Sequence, residues 1–166
     1  MLKRISISPT SNLFIFTEKI TLNTIISVLP LPLLILVSIL FLHVELSITS
    51  IFSVIFICAI STIVFVLIGI LIAFFSKTET TAILISILVV IPMMFISGTF
   101  TPIEAFPQHI KFLSDIIPMS IAIKLIEGSI IYILDLDIIL VLLEKILAYI
   151  VIFYLLGLLL IRRGLK

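Results

Sequence analysis

Residues Met93–Phe112, MMFISGTFTPIEAFPQHIKF, follow a long apolar run and hold a Ser–Gly pair, two prolines, Glu104, His109 and Lys111. Whether this stretch ends a soluble helix or a membrane span depends on what flanks it. The flanks are nearly free of charge. Over all 166 residues, 63% are hydrophobic and 11% charged, with a mean hydropathy of +1.53. An ordinary soluble domain carries about 25% charged residues, and a surface poor in polar side chains is not wetted by water. The composition therefore reads as an all-α membrane protein.

Outward from the quoted stretch, the charge-free runs give the spans. Thr80 to Ile103 has no charge, and Ser97–Gly98 breaks its helical pattern, so a span is predicted at about 81–98, bent at Pro92. Before it, a charge-free run between Glu45 and Lys77 predicts a span at about 49–75, and Ile20 to Leu42 predicts one at about 20–43. The latter covers 23 positions, a rise of roughly 35 Å at about 1.5 Å per residue. It contains Pro30 and Pro32, which predict a kink. After the stretch, the run Ile146 to Ile161 extends back to about Asp137 and gives a fourth span, 137–161. Glu144 and Lys145 then lie in its outer part, either snorkelling to the interface or making a polar contact in the bundle. The short link between the first two spans makes them an antiparallel pair.

Orientation follows from the basic residues. Lys3, Arg4, Lys19, Lys77, Arg162, Arg163 and Lys166, seven of the ten, fall on one set of loops, whereas Lys111 and Lys124 fall on the other. The first set is expected in the cytoplasm, with both termini and the Ser76–Thr80 turn. Residues 1–18 form a cytoplasmic segment, and residues 99–134 lie outside. That outer segment is too long for a plain connection and too apolar to float in water. Ala105–Leu113 and Ile116–Ile126 read as two short helices started by Pro107 and Pro118, lying at the outer surface or re-entering the bilayer. The outer corner residues are Ser97, Gly98, Pro102, Pro107 and Pro118. The whole chain, 1–166, is expected to be a single transmembrane domain.

Several function classes are excluded or disfavoured. There is no basic patch for nucleic acid. No G-x-x-x-x-G-K-[ST] occurs, so the sequence has no P-loop of its own. His43 and His109 stand far apart without metal-ligand spacing, Cys58 is a lone cysteine in an apolar run, and Ser97 lacks a base in motif context. No metal, cofactor or catalytic residue is expected. After Met1-Leu-Lys-Arg4 comes a polar run rather than the apolar core of a signal peptide, so the first span is expected to serve as the insertion signal.

The order Gly69, Ser76-Lys-Thr-Glu-Thr80, an apolar span with Pro92, Ile96-Ser-Gly-Thr-Phe-Thr-Pro-Ile-Glu104, Phe106-Pro107, Ile116-Ile-Pro-Met119 and Glu127-Gly128 resembles the C-terminal portion of a type-2 ABC transporter permease. The resemblance covers most of the chain. It implies a transmembrane subunit of an ATP-driven exporter in the cell membrane, working with an ABC ATPase subunit and a second permease chain, alike or different. The family's permeases usually have six spans and this chain has room for four, so a truncated or split permease is one expectation and a complete protein the other. The Ser-Pro region before the first span is similar to the family's cytoplasmic ATPase-docking segment, which makes Ser8, Pro9, Thr10, Ser11 and Asn12 the coupling candidates. With few ionisable groups in the spans, an apolar or amphipathic substrate is expected. The alternative is a non-transporting membrane scaffold left by a permease that lost its first half.

Overall fold

The computed structural model describes residues 12–43, 47–131 and 135–164. Among them there is no strand, and four helical segments are long and apolar enough to cross a membrane: Phe16–Phe41, Ile48–Phe75, Glu79–Ile96 and Asp137–Leu160. The protein is an all-α membrane protein.

The first crossing is made of two helices, α1 (Asn12–Val28) and α2 (Leu31–Leu42). The break at Leu29–Pro30 is proline chemistry. Pro30 has no N–H to give to a carbonyl one turn back, and it becomes the N-cap of α2, with Pro32 in the first turn, where a missing donor is harmless. The helix α1 already begins at Asn12, so residues 12–18, read from sequence as preceding the span, are helical. His43 ends α2 in the left-handed conformation, φ 52°, its N–H returning to the Ser38 carbonyl.

Helix α3 (Ile48–Phe75) starts where the Ser47 hydroxyl accepts the Ser50 N–H at 3.1 Å. Helix α4 (Glu79–Ile96) starts where Thr78 accepts the Thr81 N–H at 3.2 Å, with Glu79 in the first turn against the positive helix end. Between the two lies the short Ser76–Thr78 turn, so α3 and α4 run antiparallel. Pro92 sits inside α4 without ending it. A 3-10 turn (Ile103–Ala105), α5 (Gln108–Ile116) and α6 (Pro118–Ile131) lead to α7 (Leu136–Gly164).

Helix α3 is the centre of the bundle and touches every other long helix. Its stripe Ile57, Ser61, Val64 and Leu67 is buried. Ile57 and Val64 pack with Ile121, Ala122 and Leu125 of α6 and with Leu142 and Ile146 of α7. Leu67 packs with Phe16 and Ile20 of α1. In a bilayer the lipid tails are as apolar as these side chains, so the gain comes from close packing rather than from escape from water. Where α1 approaches α7, Phe16 lies over Gly157, at which a Cβ would stand 2.6 Å from the Phe16 Cζ. Its ring also packs against Tyr154, centroids 5.4 Å apart. These contacts put Asn12, the α3–α4 turn and Gly164 at one end of the bundle, and His43, Ser47, Gly98 and Asp135 at the other.

The sequence left open whether the two short helices lie on the surface or re-enter. Helix α6 carries Ile121 and Leu125, 1% and 0% exposed, into the core between α3 and α7, so it is inserted among the spans.

Candidate functional site

At the far end of α4 the chain turns sharply. The fully buried Ser97 donates its hydroxyl to the Met94 carbonyl at 3.0 Å and shares a hydrogen bond with Thr99 Oγ1 at 2.8 Å. Gly98 follows with φ +94°, a conformation that side chains disfavour, and a Cβ there would come within 3.0 Å of Ile103 Cγ1. Pro102 caps the 3-10 turn, and Pro107 caps α5, its carbonyl accepting from the N–H groups of Ile110 and Lys111. Pro118 opens α6. The five corner residues are thus spread over two places: Ser97, Gly98 and Pro102 around the α4 exit, with Pro107 leading into α5, and Pro118 at the tip of the α5–α6 hairpin. Of the coupling candidates, Ser8, Pro9, Thr10 and Ser11 lie outside the described residues, and Asn12 opens α1.

The hairpin tip, Ile116–Ile117–Pro118, lies against Tyr149 and Phe153, midway along the candidate span of α7. From Asp137 to Tyr149 is a distance of roughly 18 Å at about 1.5 Å per residue, so the tip meets α7 near the middle of that candidate span. Two contacts hold it there. The Tyr149 hydroxyl donates to the Ile116 carbonyl, which lies in the last turn of α5, where a carbonyl lacks an intrahelical donor. The Tyr149 ring stacks on Phe153, centroids 5.7 Å apart. Below the tip opens a cleft of about 470 Å³, walled by Ile68, Leu71, Ile72 and Phe75 of α3, by Ile85, Val89 and Met93 of α4, and by Tyr149 and Phe153 of α7. Its lining is apolar, and its size is in the range of small-molecule sites.

Charge stands beside the tip. Lys124 Nζ on α6 lies 2.7 Å from Asp115 Oδ1 on α5, one residue from the tip. Helical spacing puts Gln108, Lys111 and Asp115 along one side of α5, and Ser120, Lys124 and Glu127 along one side of α6. The ion pair joins the two stripes. Ser114 and Ser120 are fully buried, and their hydroxyls have no hydrogen-bond partner among the described residues. An ionised side chain at mid-bilayer costs about 3 kcal/mol on insertion scales, so such groups face protein, water or a ligand rather than lipid tails.

Sequence reasoning used Lys111 and Lys124 only for orientation and did not mark Asp115. The signal was present in the spacings 108/111/115 and 120/124/127, but the pairing across the hairpin is a tertiary fact. Glu144 and Lys145 of α7 are exposed and have no ion pair among the described residues. Lys145 lies one turn from Tyr149 along α7. His43 and His109 are exposed on separate elements, and Cys58 is a free, half-buried thiol in α3. Among the described residues, no three His, Cys, Asp or Glu side chains group as metal ligands would.

The family model described as ABC-2 type transporter matches residues 1–131, from the N-terminal segment through the end of α6. No curated protein and no solved structure gives a match.

Proposed function

The chain belongs to the ABC-2 type transporter family, and on that premise we infer that this permease subunit exports an apolar or amphipathic substrate across the cell membrane. The energy comes from ATP hydrolysis on an ABC ATPase subunit, these 166 residues holding no P-loop themselves. A second permease chain, alike or different, completes the path. The observation that carries the substrate class is the apolar cleft at the hairpin tip, bounded by three spans. The excess of Lys and Arg on the loops at the Asn12 end supports placing both termini and the α3–α4 turn in the cytoplasm.

Coupling is mechanical. Residues 2–17, with Ser8, Pro9, Thr10, Ser11 and Asn12 as the contact, receive the ATPase movement. The packing supports a route onward: α1 is seated on α7 through Phe16, Gly157 and Tyr154, and farther along α7 Tyr149 holds the hairpin tip. A displacement of α1 then biases a two-state position of the hairpin, with the corner at Ser97, Gly98, Pro102 and Pro107 and the tip at Pro118 as bends.

The test is co-purification. The full chain in mild detergent should retain a P-loop ATPase identified by its sequence and alter its hydrolysis rate, and a chain lacking residues 2–11 should lose it. If the intact chain binds no ATPase in any solubilisation, the transport reading fails and the scaffold reading replaces it. In intact cells, cysteine at Pro107 should react with an impermeant thiol reagent and cysteine at Ser76 should not. The reverse pattern overturns the orientation.

A further inference from the structure

The charged face of the hairpin is not needed to hold the fold. The core is made by α3, α6 and α7 through apolar contacts, whereas Lys111, Asp115, Lys124 and Glu127 stand on the sides of α5 and α6 turned from that core. Lys124 and Asp115 pair, yet their side chains remain 32% and 57% exposed, and Lys111 and Glu127 have no ion pair among the described residues. An ion pair left against lipid tails is unfavourable, and this one, beside the tip, is open to a polar partner. The four groups carry two positive and two negative charges, which suits a ligand that itself carries both signs. Ile116 and Pro118, flanking the stripes, line the apolar cleft.

We propose that this face holds the zwitterionic head group of a lipid-like amphipath whose tail occupies the cleft at the hairpin tip; the assignment rests on the transport reading and names the substrate class of that path. The cationic end of the head group lies by Asp115 and Glu127, and the anionic end lies by Lys111 and Lys124, through charge-assisted contacts. The tail needs no polar partner and fills the apolar space between α3, α4 and α7.

The experiment uses the full chain in nanodiscs of phosphatidylglycerol, which supplies no zwitterionic head group. The probes are a fluorescent alkylphosphocholine and the same fluorescent chain carrying a neutral maltoside head. Lys124→Gln and Asp115→Asn should each weaken the phosphocholine probe by about tenfold, the loss of one charge-assisted contact, and leave the maltoside probe unchanged. The double exchange Asp115→Lys with Lys124→Asp should recover part of the loss. Binding of the maltoside probe reports that the variants are folded. A bulky Val89→Trp in the cleft should weaken both probes alike. Equal binding of the two probes to the unmodified chain, or single variants that change neither, would overturn the assignment. So would cross-linking of two copies through Glu127→Cys with no head-group preference, which would make the face an interface between copies. ATPase capture is measured on the same preparation: capture without head-group selectivity sinks this assignment alone, and selectivity without capture sinks the transport reading.

Discussion

Replacing Tyr149 with Phe removes one hydroxyl and leaves the ring on Phe153 in place. That hydroxyl is the hydrogen-bond donor from α7 to the hairpin tip, and its acceptor, the Ile116 carbonyl, lies in the last turn of α5, where no further helix N–H reaches it. Neutral hydrogen bonds in proteins contribute about 0.5–1.5 kcal/mol net, and those between membrane helices average about 0.6 kcal/mol. Tyr149→Phe should therefore shift the docked-to-undocked equilibrium of the hairpin by about 3- to 12-fold. The assay is amide hydrogen exchange in nanodiscs followed by mass spectrometry. Peptides spanning residues 108–120 should exchange faster by that factor, and peptides from the middle of α3 should not change. Unchanged exchange in the hairpin would mean that the tip is held by packing alone, and the proposed route from α7 to the hairpin would lose its last link. Uniform acceleration in α3 and the hairpin would mean that the variant loosens the whole bundle.

Two further substitutions probe the same architecture. Gly157→Leu puts a side chain where even a Cβ would stand 2.6 Å from Phe16 Cζ, and should destabilise the fold by about 1–3 kcal/mol in an unfolding titration, with partial rescue by Phe16→Ala. Leu125→Ala empties a fully buried position between α3 and α7 and should cost about 2–5 kcal/mol, whereas Leu88→Ala, at a position 73% exposed on α4, should fall within about 0.5 kcal/mol of the parent. Equal costs at Leu125 and Leu88 would contradict the burial that distinguishes them.

The spans were legible because a bilayer demands long charge-free runs, and Ile20–Leu42 or Thr80–Ile103 meet that demand without any tertiary information. The break after Leu29 was legible too, as a kink, because proline acts on its own helix. The depth of α6 was not. Ile121, Ala122 and Leu125 have the same apolar character whether they face lipid or protein, so the inside-outside contrast that locates a soluble core disappears. The polar seam was hidden for another reason. Lys124 and Asp115 are nine positions apart on two helices, and only the reversal at Ile117 brings them to 2.7 Å. The start of α1 at Asn12 shows the limit of reading boundaries from charge, since Glu18 and Lys19 are accommodated in a helix already under way.

The uneven sharing of contacts around α3 bears on how freely the sequence can drift. Helix α4 has no buried residue, so any apolar side chain of fair helix propensity serves at most of its positions, and its composition is constrained far more than its order. Helix α3 meets α1, α4, α6 and α7, and a change of size at Ile57, Val64 or Leu67 is felt by neighbours on several sides at once. Two spans that both read as apolar are thus subject to different selection. Random substitution would scatter harmlessly over α4 away from the cleft wall of Ile85, Val89 and Met93 and be purged along one stripe of α3, a record of the packing that relatives of this chain would carry in their variation.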